Sequence, residues 1–282
     1  MSRDMVISDG EVVHAPQGTF GAIVKSEVEA QLDAAHKYPR SIRRFMDEAV
    51  SIATETPEVA ESCLFSIPRD GKIIAGPSVR LAEICASAYC NLQYGGRVVD
   101  EDDKYVTAQG VAWDMQKNTR VTIETRRRIT GKTGKRFSDD MVAVTGNAAR
   151  SIALRDAVFR VIPRALVDQV YAKVKLVAVG DAKSLATRRA QVLERLQKIG
   201  VPLDRVWPKL EIKGPEDIGL EELEVLIGLG AAIKSGEIGI DDAFPPAAPP
   251  APPGAADEGK RISLRTPKKE PEAAASPPQE GT

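Results

Sequence analysis

Gly131-Lys132-Thr133 ends the way a nucleotide-binding phosphate loop ends, and Asp100-Glu101-Asp102-Asp103 and Asp139-Asp140 are the kind of carboxylate clusters from which a metal-dependent nuclease is built. Neither develops into a site. The earlier glycine that a phosphate loop requires is replaced by the Arg126-Arg127-Arg128 run, and the strand leading into the loop is polar rather than buried. Asp139-Asp140 falls where a helix N-terminus favours acids, and the other cluster reads as a turn. His14 and His36 are the only histidines, and Cys63, Cys85 and Cys90 are an odd count without paired metal-ligand spacing. No nucleophile stands with a base, so the residues predict no catalytic centre, no metal and no cofactor.

The cations form a stronger pattern. From Thr119 to Ile129 the chain alternates: Val121, Ile123 and Ile129 share one strand face, and Arg120, Arg126 and Arg128 share the other. Such a guanidinium row can track a phosphate backbone, and Lys132, Lys135 and Arg136 extend it around the following turn. The competing arrangement is cross-strand pairing with the acidic turn near Asp102, which is weak at an exposed site. In the next helical stretch, 100° per residue puts Arg155 beside Met141, Val144, Ala148, Ile152 and Phe159. There it is either buried and paired, with Asp140 or Asp156 for instance, or it lines a groove. Arg150, Arg160 and Arg164 point elsewhere on the same stretch, and Lys173 completes the candidate DNA-contacting set. Tyr105, Trp113 and Phe137 are candidates for stacking on bases, a contact worth about 1–3 kcal/mol that tolerates any sequence.

Whole-chain charge conceals this. The 282 residues hold 39 Lys plus Arg against 40 Asp plus Glu, a net charge of −1. Residues 117–198, however, carry 19 cations and 7 acids, and residues 199–244 carry 4 and 10. A block with a surplus of twelve cations is a local electrostatic footprint for a polyanion.

The elements that must position these residues follow from periodicity. Val24–His36 and Ser41–Thr54 have helical spacing and are separated at Pro39. Leu64–Ile67 and Lys72–Ile74 flank Pro68-Arg69-Asp70-Gly71, a hairpin turn, and Val79–Tyr89 is a helix opened by Pro77. From Asn91 the period becomes two, giving a three-stranded meander with strands near 92–99, 105–113 and 120–130, and Arg136-Phe137 adds a short strand. Ser138 caps a long helix, Met141–Ile162, and helices at 164–179 and 182–199 follow. The predicted fold is therefore α+β: a twisted antiparallel sheet, hairpin plus meander, packed by helices including one long central helix. The domain reading is a flexible N-terminus at 1–20, a DNA-binding core at 21–198, a small acidic helical module at 199–244 and a disordered tail at 245–282. That tail holds 10 of the 19 prolines.

This order of elements resembles the phage single-strand annealing proteins of the RecT and Red beta kind. The resemblance rests on residues 140–164, where a Met141-containing helix start is followed by spaced arginines and ends at Pro163, and on the short helical ending from Leu223 to Phe244. It spans residues 40–244, with Arg150 or Arg155 standing where the family has a mid-helix lysine. It implies ATP-independent binding of single-stranded DNA, annealing of complementary strands, and a homo-oligomer in the form of a ring or helical filament. A partner exonuclease or host single-strand binding protein, docking at 199–244, belongs to the same expectation. The alternatives are a non-enzymatic phage assembly or scaffold protein whose basic block binds another protein, and a metal-dependent nuclease. No stretch is apolar and long enough for a membrane span, and Met1–Gly10 lacks an apolar secretory core, which predicts a protein of the bacterial cytoplasm.

Overall fold

A computed structural model describes residues 19–246 except Asp70, Gly71, Lys132 and Ala182; the expected Pro/Ala-rich tail lies outside the described residues from Ala247 onward. In chain order the elements are α1 Thr19–Lys37, α2 Ile42–Ala53, α3 Pro57–Ser62, β1 Leu64–Arg69, β2 Lys72–Pro77 and α4 Val79–Tyr89. Then come β3 Leu92–Glu101, β4 Tyr105–Asp114, β5 Thr119–Arg128, α5 Asp139–Val161, α6 Arg164–Val179 and α7 Leu185–Lys198, followed by α8 Val206–Leu210, α9 Leu220–Lys234 and α10 Ile240–Ala243. The fold is α+β, as the periodicity predicts. α1 begins inside the stretch expected to be loose.

Short polar side chains set the helix starts. Ser41 accepts from the Arg44 N–H at 3.3 Å, Thr56 from Val59 at 3.3 Å and Ser78 from Arg80 at 3.1 Å. Ser138 does the same for α5 at 3.4 Å, and Asp139 and Asp140 occupy its first turn, where the helix dipole favours them.

β1 and β2 form an antiparallel hairpin, and β3-β4-β5 form a separate antiparallel meander with β4 in the centre. α5 lies across one face of the meander. Its contact row is small, with Ala149, Ala153 and Ala157 buried, and at Gly110 a Cβ would come 2.1 Å from the Ala153 carbonyl oxygen. Only glycine lets helix and strand approach that closely. Gly228 of α9 plays the same part against β1, since a Cβ there would meet Ser66 Oγ at 2.3 Å.

One large core joins α2, α4, α5, α6, α7 and α9, with Phe45 and Tyr89 in an edge-to-face pair at 5.4 Å. Leu223, Leu226 and Leu229 of α9 belong to that same core. Residues 199–244 are therefore not the separate module expected from their acidity: most of the acids lie at the surface, Glu237 being buried, and the apolar face of the segment completes the interior.

Candidate nucleic-acid interface

Strand parity divides the meander into two unlike faces. Along β4 every even residue from Val106 to Asp114 is buried, and these residues face α5. The odd residues Tyr105, Thr107, Gln109, Val111 and Trp113 therefore face away from it. Register carries the division sideways: Tyr105 lies opposite Arg128, Thr107 opposite Arg126, Gln109 opposite Glu124 and Trp113 opposite Arg120. On the other side Arg97 of β3 lies opposite Gln109. No described element packs on this outer face, which presents four arginines, two half-buried aromatic rings and the carboxylates Asp100, opposite Thr107, and Glu124, with an aromatic residue opposite an arginine at each end.

Part of that charge is already matched. Arg126 pairs with Asp102 at 2.6 Å and lies 4.2 Å over the Tyr105 ring. The backbone N–H groups of Lys104 and Tyr105, joined by Arg126, hold the Asp102 carboxyl below its ordinary value. Arg136 pairs with Glu101 and donates to the Asp102 carbonyl at 2.9 Å. The expected pairing to the acidic turn thus holds for these two arginines. Arg97 donates to Gln109 at 3.2 Å, and Gln109 donates to Glu124 at 3.4 Å, forming a ladder across all three strands. Arg120, Arg128 and Lys135 are exposed and have no carboxylate partner among the described residues.

The helix side uses its arginines differently. Arg40 grips Asp114 with both guanidinium nitrogens, at 2.5 and 2.6 Å, and stacks 3.8 Å over Tyr89; the pair is 4% and 2% exposed. Burial raises the Asp114 carboxyl, but the hydrogen bonds from Arg40 and from the Lys117 and Gln116 amides outweigh it, so its pKa lies below the ordinary value. Arg127 donates to the Glu237 carbonyl at 2.8 Å. Arg155 is largely buried, over the Phe65 ring and between Asp156 at 3.0 Å and Glu237 at 3.7 Å. Of the two places the sequence allowed it, this is the buried, paired one, with Glu237 added from 82 residues downstream. Burial pushes the Glu237 carboxyl up despite the neighbouring Arg155.

The sequence-predicted set is therefore split. Arg120, Arg126, Arg128, Tyr105 and Trp113 share the open face, with Lys135 and Arg136 at one end; Lys132 lies outside the described residues. A single groove joining the arginine row to the long helix does not form, because α5 lies against the opposite face. Arg150 is exposed on the helix side, where a Cβ on Gly96 would come 2.8 Å from its Cγ. Arg160 is exposed near the end of α5, Arg164 pairs with Asp168 at 2.7 Å, and Lys173 is exposed on α6, which packs on α2, α3 and α9. Phe137 packs against the small core of Val106, Ala108 and Ile129 instead of standing free for a base. Sequence reasoning missed Arg97, although the same two-residue period would place it on the arginine face.

Among the described residues no group of three or more His, Cys, Asp or Glu is arranged to hold a metal ion. No described helix is long and apolar enough to cross a membrane. The chain matches no protein-family model, no curated protein and no solved structure.

Proposed function

We propose that the open meander face binds single-stranded DNA without sequence preference, and that the protein anneals complementary strands without ATP, as a homo-oligomer and not as an enzyme. The observation that carries this reading is that Arg128 lies opposite Tyr105 at one end of the face and Arg120 opposite Trp113 at the other, both arginines without a carboxylate partner among the described residues. The eight residue-to-residue steps from Tyr105 to Trp113 span about 26 Å at roughly 3.3 Å per step, enough for several nucleotides. Guanidinium groups neutralise phosphates while rings stack on bases, which is sequence-independent recognition. No described helix lies on that face to read base edges, so affinity follows charge and stacking.

The setting is phage-type recombination in the bacterial cytoplasm, with a nuclease or host single-strand binding protein supplying the strand. The exposed acids of 199–244, such as Glu221 and Asp242, are the contact offered to that partner.

The test is an oligonucleotide titration over a range of salt, followed by addition of the complementary strand with no nucleotide present. Binding that weakens steeply with salt and annealing of the added strand support the reading. Salt-indifferent binding points instead to a scaffold protein, and metal-dependent shortening of the oligonucleotide to a nuclease.

A further inference from the structure

Tyr38 is 66% exposed, the most exposed aromatic ring among the described residues. It stands in the short link between α1 and α2, with Lys37 Nζ 5.5 Å from its ring centre. A single exposed ring is ordinary on a protein surface, but this one is tied to a particular place.

That place is one end of the meander. Asn91 Nδ2 donates to the Tyr38 carbonyl at 2.9 Å and to Gln116 Oε1 at 3.2 Å. Gln116 Oε1 also accepts from the Arg40 amide at 2.9 Å, and the Met115 amide donates to the Asn91 carbonyl at 3.0 Å. Met115 and Gln116 belong to the turn 115–118 that joins β4 to β5, immediately beyond Trp113 and Arg120 at the end of the open face. The link that carries Tyr38 is thus bonded to the turn at which the arginine face stops. Backbone strain accompanies the attachment: Cys90 and Asn91 have φ of 55° and 51°, and Cys90, with ψ 166°, lies in a region that glycine normally occupies.

The cations at this end are unmatched. Lys37 and Lys117 are exposed and have no carboxylate partner among the described residues. The neighbouring acids do not cancel them. Both oxygens of Asp114 are held by Arg40, and Asp33, one helical turn before Lys37, forms no ion pair with it.

We propose that the strand held on the open face runs on past Trp113, over Lys117, and stacks a further base on Tyr38, with Lys37 and Lys117 against the flanking phosphates. This extension rests on the open face being the single-stranded DNA site and lengthens that site beyond the sheet.

The experiment is fluorescence anisotropy of the full chain with oligothymidylates of increasing length, with thermal melting of every variant to confirm folding. In the parent, affinity should go on rising with length after the open face is filled. Tyr38→Ala with Lys117→Ala should leave binding of the shortest bound oligonucleotide unchanged and weaken binding of the longest by about tenfold, within what one stacked base supplies. Tyr38→Phe should match the parent at every length, because the ring makes the contact. Lys117→Ala alone should reduce the slope of log K against log salt by about 0.7, on the long oligonucleotide only. If the parent binds and loses affinity with Arg120→Ala and Arg128→Ala, yet the Tyr38→Ala, Lys117→Ala chain matches it at every length, the extension is overturned and the open face stands. An equal loss at all lengths overturns the extension too, since Tyr38 would then belong to the same short site. A parent that binds no oligonucleotide overturns both.

Discussion

The two faces of the meander put arginines to opposite uses, and Arg127 and Arg128, neighbours on one strand, fall on opposite sides of that division. On the helix side, Arg127 and the Arg40–Asp114 pair are enclosed, each guanidinium matched to a fixed acceptor. On the outer side, Arg120 and Arg128 are exposed and have no carboxylate partner among the described residues. A segment's charge surplus therefore counts cations of two kinds, those bound into the interior and those free for a partner. Strand parity separates them where composition does not.

The largest effect expected on this comparison is on the helix side. Removing one partner of a buried ion pair leaves a stranded charge and costs about 3–5 kcal/mol. Arg40→Ala should therefore lower the melting temperature severely while the protein that remains folded keeps its oligonucleotide affinity. Acid acts on the same pair. Because the folded-state pKa of Asp114 is lowered, its contribution is complete above the ordinary value of 3.8 and is lost as pH falls through the folded value. Urea melts near neutral pH and in acid should converge for the parent and an Asp114→Asn variant.

Arg155→Ala comes next, since it strands Glu237, although the upward-shifted carboxyl there can relieve part of the loss by taking a proton. Replacing both partners, Arg155→Met with Glu237→Leu, should melt higher than Arg155→Ala alone, because no buried charge is left behind. A double variant that melts lower than the single one would show that the pair contributes more than its own desolvation cost.

On the open face the effect moves from stability to binding. Each of Arg120→Ala and Arg128→Ala should leave the melting temperature near that of the parent and reduce the slope of log K against log salt by about 0.7. Arg150→Ala, on the far side of the sheet, should leave that slope unchanged. The smallest effect is a gain: Asp102→Asn keeps an oxygen for the Lys104 and Tyr105 amides while releasing Arg126, and should tighten oligonucleotide binding modestly. Weaker binding by Asp102→Asn would mean that the turn's charge helps the site instead of competing with it.

Much of this arrangement is legible in the sequence, for physical reasons that differ by region. The two-residue period of β5 fixes which arginines share a face, because side-chain direction in a strand is local. Ser138 with two acids after it fixes the start of α5 for the same reason. α3 was readable too, from Thr56 before Pro57, a cap followed by proline in the first turn. What sequence could not supply is the partner of a side chain across the fold. Glu237 reaches Arg155, and Arg40 reaches Asp114, through packing of elements far apart in the chain. The acidity of 199–244 misled for a related reason: charge reports the outer surface of α9, while Leu223, Leu226 and Leu229 decide where the helix sits.

The claim that the open face is the DNA site is tested most directly by ultraviolet crosslinking of the full chain to an oligothymidylate, with the modified peptides mapped by mass spectrometry. The account predicts crosslinks at Tyr105 and Trp113, suppressed in an Arg120→Ala, Arg128→Ala variant. Crosslinks confined to peptides of α7 and α9, with Tyr105 and Trp113 unmodified, would contradict it and place the strand on the helix side.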